Sequence, residues 1–286
     1  MNDLYIIITA CLVAINCAIV GSFLVMRKMV MIGDAISHAV LPGIFFAYLL
    51  SGSTSSLPIL IGAAASGIFA TILIEWFTQK ARLQSDASIG VSYTLLFAIG
   101  IILISKFGEN ADIDQQCVLY GELEYVWLWL VPIGNHFFIP QQTLILLSLT
   151  LIIITGVMIG FKGLFITTFD PNFAISTGVA IGFWHYFLMG GVSLTTVVSF
   201  ESVGAILVVA FLSGPPAIAY LLTENLKKMI ILSCFFGILC AIIGFYTAKL
   251  FDVSIAGAIS TIIGLVFTVV FIISTQKKSK IDVISY

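Results

Sequence analysis

The sequence predicts an all-α integral membrane protein, a polytopic bundle of about nine (eight to nine) transmembrane helices. Hydrophobic residues make up 60% of the 286 residues and charged residues only 9%, whereas globular domains carry about 25% charged residues. Long apolar segments alternate with short polar runs, which indicates helices rather than the short alternating strands of a membrane barrel. We therefore predict a single transmembrane domain over residues 1–286.

Nine apolar segments are candidates to cross the membrane. They cover residues 4–26, 36–50, 57–77, 88–105, 143–161, 176–198, 202–222, 229–248 and 255–274. The segment 36–50 is short for a full crossing, so it either begins earlier, within residues 29–34, or is partly re-entrant. Before the sixth segment, Asp170 and Pro171 predict a helix start, because aspartate caps helices and proline is favoured at the first helical position.

The positive charges predict the orientation of the bundle. With the C-terminus in the cytoplasm, ten of the twelve lysine and arginine residues face inward and only Lys106 and Lys249 face outward. This is the distribution that the positive-inside rule requires, and the opposite orientation would reverse it. The long polar stretch of about 106–141 then lies outside. Its acidic residues suit either a solvated loop or a docking surface that attracts cations.

Composition and missing motifs exclude several classes of protein. A net charge of −2, with no basic stripe, offers no surface for nucleic acid. Neither GxxxxGKS nor GxxxxGKT occurs, so the chain has no P-loop of its own for ATP. An intramembrane hydrolase is a poor interpretation, because there is no HExxH sequence and no second catalytic group is evident for His38.

The stretch 33–43 carries the most informative polar residues in an apolar setting. Asp34 and His38 are four positions apart, so in a helix their side chains point from one face, with Cβ atoms about 5–6 Å apart. A carboxylate and an imidazole on one face can share a divalent cation. An ionisable residue inside a membrane costs about 2.5–3.5 kcal/mol, which favours a functional site. The alternative is a structural pair, in which Asp34 caps the helix and His38 bonds a backbone carbonyl.

A second informative feature interrupts the apolar segment 202–222. Gly214, Pro215 and Pro216 follow one another there, and proline both lacks an N–H group and clashes with the preceding turn. We therefore predict that the helix kinks or stops at this point.

The residues that follow, 217–228, suit a short amphipathic helix at the cytoplasmic face. Ile218, Leu221 and Leu222 recur at helical spacing, with polar residues between them and after them. Such a helix docks its apolar face into a groove of a partner protein. The alternative is a plain kinked helix followed by a polar turn, and the residues alone do not choose between the two.

The stretch 33–43 resembles the signature of the ABC-3 family, the membrane permeases of bacterial ABC importers for manganese, zinc and iron. Two positions depart from the family pattern: Tyr220 stands where many relatives have arginine, and 115–116 is Gln-Gln in a loop often richer in aspartate. The similarity keeps the order of the family's motifs through residues 86–90, 118–122, 168–174, 204–223 and 254–257.

The resemblance implies a transport subunit rather than an enzyme, placed in the bacterial cytoplasmic (inner) membrane. Its partners would be a second permease subunit (an identical copy or a paralogue), a cytoplasmic ABC ATPase dimer and an extracytoplasmic metal-binding protein. The segment 214–228 would contact the ATPase. Its expected coupling residues are Gly214, Pro215, Pro216, Ile218, Leu221 and Leu222.

The resemblance also implies that Asp34 and His38 line the path of the ion. No cofactor is expected to stay bound, since the metal is the cargo. A carboxylate with an imidazole suits manganese, iron or zinc, and the stretch 118–122 looks like that of the manganese and iron branch. We predict manganese, with zinc or iron as alternatives. The competing function is an ATP-independent carrier or channel for a divalent metal.

Overall fold

The computed structural model describes residues 2–51, 56–107, 123, 130–133 and 137–284. Long helices account for almost all of this part of the chain. In chain order the elements are α1 (Asn2–Met26), α2 (Met31–Ser51), α3 (Ser56–Lys80), α4 (Ser85–Phe107), β1 (Leu130–Ile133), β2 (Phe137–Pro140), α5 (Gln141–Phe169), α6 (Pro171–Ser176), α7 (Ile181–Val203), α8 (Ala205–Leu222), α9 (Leu226–Phe251) and α10 (Ile255–Ile284).

Nine of the helices described are long and apolar enough to cross a membrane, which confirms the predicted bundle. The second crossing is a complete one. Helix α2 has 21 residues, a length of about 32 Å at 1.5 Å per residue, and the hydrocarbon core is about 30 Å thick. It begins at Met31 rather than near residue 36, so Asp34 lies inside its first turn. A re-entrant segment is therefore not needed.

Two further segments, the helix start at Pro171 and the outer stretch, compare differently with the sequence predictions. The predicted start of a helix at Pro171 is confirmed: the Asp170 carboxylate accepts a hydrogen bond of 2.9 Å from the Phe173 N–H. The outer stretch contains an antiparallel hairpin of β1 and β2, with Val131 paired to Ile139, which the sequence analysis missed. Most of that stretch lies outside the described residues, including the acidic residues, Gln115 and Gln116, and the 118–122 motif.

Hydrogen bonds between helices connect helix ends that the predicted topology places on the same side of the membrane. Near the start of α1, Thr9 Oγ1 lies 2.9 Å from Thr143 Oγ1 at the start of α5. Near the end of α1, Ser22 donates to Ser233 Oγ, 3.2 Å away, near the start of α9. Helix α1 thus runs parallel to α5 and antiparallel to α9. If successive spans cross the membrane in alternating directions, the first and fifth spans run parallel and the eighth runs antiparallel to them, as observed.

The prediction of a separate amphipathic helix over 217–228 is wrong. Helix α8 continues through Pro215 and Pro216 and ends at Leu222, and α9 begins at Leu226 after a three-residue turn. The structure matches the second alternative, one helix followed by a polar turn. In that turn the Asn225 side chain accepts a hydrogen bond of 3.0 Å from the Lys227 N–H and caps α9.

Tertiary packing explains why α8 does not stop at its prolines. Pro216 has no N–H to offer to the Leu212 carbonyl four residues earlier. Helix α1 covers that carbonyl at Gly21, where an added Cβ would lie only 2.2 Å from the Leu212 oxygen. Both prolines are buried against their neighbours. The packing of the bundle therefore overrides the local preference of proline to end a helix.

Candidate functional site

Helix α2 brings Asp34 and His38 together on one face, as the spacing predicted. His38 Nε2 lies 3.7 Å from Asp34 Oδ1, and the two side chains are 29% and 33% exposed. The preceding Gly33 allows this end of α2 to lie close to α8, since a Cβ there would be 2.7 Å from Leu212 Cδ1. The pair therefore occupies a tightly packed part of the bundle while both side chains keep an open side.

The surroundings of His38 come from α4. Its ring centroid lies 5.8 Å from that of Tyr93 and 5.5 Å from that of Phe97. Within the described part of the chain, His38 makes no hydrogen bond to a backbone carbonyl. Asp34 lies inside α2 rather than at its cap. Both features count against the alternative of a purely structural pair.

The geometry of the pair suits two ligands of one metal ion. Neighbouring ligands of an octahedral ion with bonds of about 2.1 Å lie about 3 Å apart, slightly less than the 3.7 Å between these atoms. Among the residues described, no group of three or more His, Cys, Asp or Glu side chains could hold a metal. Among the described residues, the pair therefore forms a candidate site with two ligands, which is fewer than the six of an octahedral ion.

The remainder of the 33–43 stretch is structural. The Ser37 hydroxyl donates to the Gly33 carbonyl at 3.0 Å and so is engaged within its own helix. Pro42 and Gly43 line an apolar cavity of about 750 Å³ between α2, α3 and α4. None of the described residues that line it is ionisable. Of the described residues in this stretch, the two that could bind a metal ion thus lie in the first half of α2.

The expected coupling residues separate into buried and exposed members. Pro215, Pro216 and Ile218 are buried within the bundle. Gly214 is a packing position, because a Cβ there would lie 2.1 Å from Ile263 Cγ2 on α10. Leu221 is half-buried and Leu222 is 47% exposed. Of the six residues, only these two leucines can meet a partner protein.

The structure also assembles a polar network that the sequence analysis missed. It comprises Arg27, Glu75, Thr167, Thr168, His185 and Tyr186, and we call it the Arg27 network. Arg27 Nε donates to Thr168 Oγ1 and Arg27 Nη2 donates to Thr167 Oγ1, both at 3.0 Å. Burial lowers the pKa of Arg27, yet a guanidinium stays protonated in proteins.

The His185 imidazole lies between the two charged groups of this network, Arg27 and Glu75. Arg27 Nη1 lies 3.4 Å from His185 Nδ1, and His185 Nε2 lies 2.8 Å from Glu75 Oε1. The Tyr186 hydroxyl donates to the other oxygen of Glu75. Glu75 and His185 lie within membrane-spanning α3 and α7. An ionisable residue inside an apolar span was the signal in the sequence that could have identified them.

Comparison with known proteins identifies the chain's relatives. Residues 4–278 match the family model of the ABC 3 transport family. The chain is 42% identical over 272 residues to the manganese transport system membrane protein MntD of Bacillus subtilis, covering 95% of this chain and 92% of the relative. It is 36% identical to the zinc transport system membrane protein TroD of Treponema pallidum, over 95% of this chain and 74% of the relative. The solved structure of PsaBC from Streptococcus pneumoniae in complex with Fab superposes with a TM-score of 0.78 at 33% identity, covering 94% of this chain and 90% of that one.

Proposed function

Because the chain belongs to the ABC 3 transport family, we propose that it moves manganese ions inward as the permease subunit of an ABC importer, with Asp34 and His38 lining the path. Permeases of this family are membrane subunits and not enzymes, so the prediction of a transport subunit is confirmed. The observation that carries the metal path is the partly exposed carboxylate and imidazole, 3.7 Å apart on one helix.

Two copies of the pair would make a complete site. One subunit supplies Asp34 and His38, so two subunits facing each other across the path would supply four protein ligands. Water then completes a six-coordinate shell, the geometry typical of manganese with oxygen-rich ligands. The second subunit is an identical copy or a paralogue. Two ligands per subunit hold an ion well enough to select it and weakly enough to release it.

Manganese is favoured over zinc by two observations. The ligands offered are a carboxylate and an imidazole, and the four cysteines among the described residues lie on α1 and α9 rather than beside the pair on α2. Thiolates would favour zinc or copper(I). In addition, MntD, a relative 42% identical to this chain, is named for manganese transport. TroD, at 36% identity, is named for zinc, so zinc and iron are the competitors to test.

The metal is tested by uptake in intact cells. In a strain that lacks its own manganese importers, this chain with its native partners should restore accumulation of radioactive manganese. Excess unlabelled manganese should suppress that signal, and radioactive zinc or iron(II) supplied in its place should accumulate less. Transport rather than inhibition is compared because affinity alone favours zinc and iron(II) over manganese at nitrogen and oxygen ligands. Greater accumulation of zinc than of manganese would reassign the cargo to zinc.

The proposed assembly places the chain in the bacterial cytoplasmic membrane with the C-terminus inside. A cytoplasmic ATPase dimer would then contact the turn after Leu222, and an extracytoplasmic metal-binding protein would deliver the ion from the other side. The supporting observation is the charge distribution, since only Lys106 and Lys249 of twelve basic residues would lie outside. The alternating directions of the nine spans agree with one consistent choice of sides.

Cysteine labelling tests this orientation. In a cysteine-free background, Val253→Cys lies in the exposed turn after α9 and Lys228→Cys in the exposed first turn of the same helix. An impermeant thiol reagent applied to intact cells should label residue 253 and leave residue 228 unlabelled until the membrane is opened. The reverse pattern would invert the bundle and move the proposed ATPase contact to the outer face.

A further inference from the structure

The Arg27 network joins four helices at one end of the bundle. Arg27 directly follows α1, Glu75 lies five residues before the end of α3, Thr168 is the penultimate residue of α5, and His185 lies four residues after the start of α7. Helix α2, which carries Asp34 and His38, starts at this same end, four residues after Arg27. The network is therefore placed to hold the turn from which α2 emerges.

Hydrogen-bond roles fix the protonation state of His185 in this structure. Arg27 can only donate, so His185 Nδ1 must accept the guanidinium contact. The imidazole proton then lies on Nε2, which is 2.8 Å from Glu75 Oε1 but makes no hydrogen bond of regular geometry to it. The titratable groups that face His185 are Arg27, Glu75 and Tyr186. A neutral His185 bridges a cation and an anion.

A second proton on His185 would break one side of the bridge. It would occupy Nδ1, the atom that now accepts from Arg27, so that two donors and two positive charges would face each other across 3.4 Å. The contact with Glu75 would survive, since a positively charged imidazolium attracts the carboxylate 2.8 Å away. The same positive charge of Arg27 opposes a metal ion at the Glu75–His185 pair. The arrangement suits a clamp and not a second metal site.

The turn between α1 and α2, next to Arg27, contains a residue in the unfavourable left-handed backbone conformation. The Lys28 N–H bonds the Val25 carbonyl at 3.1 Å and the Met29 N–H bonds the Leu24 carbonyl at 2.9 Å. These two bonds define a Schellman motif, whose left-handed position usually holds glycine. Here Lys28 occupies it, with φ of 57°, at a cost of about 1–2 kcal/mol for a residue with a Cβ. Anchoring of the adjacent Arg27 side chain keeps this turn in place.

The packing of α5 on α7 places Thr167 and Thr168 within hydrogen-bonding distance of Arg27. A Cβ at Gly163 would lie 2.1 Å from the Trp184 indole, and one at Gly160 would lie 2.6 Å from it. Trp184 thus fits into a glycine groove of α5, next to His185 in the chain. One turn further along α5, Thr167 and Thr168 donate to carbonyls of their own helix and accept from Arg27. The clamp is built into the helix packing.

We propose that His185 is a positioning residue for the metal pair: in its neutral form it clamps Arg27 to Glu75, fixes the α1–α2 turn and so orients Asp34 and His38. Protonation of His185 releases Arg27 and loosens the turn. The inference rests on the proposed function for its effect on transport. The effect on the turn itself is independent of any metal.

Hydrogen exchange over residues 27–33 tests the clamp directly. His185→Gln keeps an acceptor and a donor but does not titrate, whereas His185→Leu removes both. After correction for intrinsic rates, the wild type should exchange roughly tenfold faster at about pH 5 than at about pH 7.5, the size expected for losing one hydrogen bond to a charged group. The lower value lies well below the ordinary range of an imidazole because burial opposes its protonation. The glutamine variant should stay slow at both values and the leucine variant fast at both. Equal exchange in the wild type and the leucine variant at about pH 7.5, where His185 is expected to be neutral, would overturn the proposal.

A less disruptive substitution, with a matched control, tests the same proposal if His185→Leu fails to fold. Thr168→Val removes an acceptor of Arg27, and Thr177→Val is its matched control, because the Thr177 hydroxyl donates only to carbonyls of the short helix α6. Residues 27–33 should exchange several-fold faster in the first variant than in the second. Equal exchange in both would overturn the clamp.

Transport kinetics separate positioning from mere stability. In cells, His185→Leu or Thr168→Val should raise the KM for manganese several-fold with little change in maximal rate, while His185→Gln should match the wild type. A changed exchange rate with an unchanged KM would overturn the positioning role. Failure of the proposed function would appear differently, as normal accumulation in variants of Asp34, and would leave the exchange result standing.

Discussion

Replacement of Asp34 by asparagine, or of His38 by alanine, is expected to reduce metal accumulation at least about a hundredfold. Loss of groups that merely orient ligands already costs about 10–100-fold in affinity, and these changes remove the ligands themselves. Asp34→Asn removes the negative charge at nearly constant shape, and His38→Ala removes the imidazole. Cell manganese measured by mass spectrometry, in a strain without its own importers, reports the effect.

Ser37→Ala provides the matched control for this result. Ser37 lies between the two residues on α2, and its hydroxyl bonds only the Gly33 carbonyl of the same helix. The control should accumulate manganese within about twofold of the wild type, since one intrahelical side-chain bond contributes little. All three variants should insert and retain the ATPase. Normal accumulation in both site variants would remove Asp34 and His38 from the ion path.

Leu222→Glu is expected to lower capture of the partner ATPase by tenfold or more. Leu222 ends α8, is 47% exposed and precedes a polar turn, so a carboxylate there would have to be buried in an apolar contact. Ile218→Glu would be uninformative, because Ile218 is fully buried and the bundle itself would be disrupted. Pull-down of the ATPase with the detergent-solubilised permease gives the measurement.

Leu250→Glu is the control for the coupling contact. Leu250 is 78% exposed and lies near the end of α9, at the opposite end of the bundle from Leu222. The same leucine-to-glutamate change there should leave ATPase capture unchanged. If Leu222→Glu also retains full capture and full transport-coupled hydrolysis, the turn between α8 and α9 is not the ATPase contact.

The sequence predicted the spans well because hydropathy acts over whole helices, and it failed where local and tertiary preferences disagree. The start of α2 was left open because Asp34, Ser37 and His38 interrupt the apolar run, and the helix begins at Met31, within the earlier range of 29–34 that the sequence allowed. Pro215 and Pro216 predicted that the helix kinks or stops, and burial against α1 and α10 keeps α8 from stopping there. Packing contacts of this kind are not visible in the order of residues.

The candidate site, like the fold, was predicted from the sequence only in part. Asp34 and His38 were predicted because four positions in a helix are also one turn in space. The Arg27 network was missed because its members come from four helices, with Arg27 and His185 158 positions apart. Spacing carries no information about such a pair, and only the presence of Glu75 and His185 within apolar spans marks them.

The proposed function requires that this chain import metal in an ATP-dependent manner through the Asp34–His38 pair. Its most direct test is uptake of radioactive manganese into proteoliposomes that contain the permease and its ATPase, with the metal-binding protein supplied on the opposite side. We expect uptake to require ATP on the ATPase side and to fall to background with Asp34→Asn. Equal uptake without ATP would instead identify an ATP-independent carrier or channel, and would contradict the account.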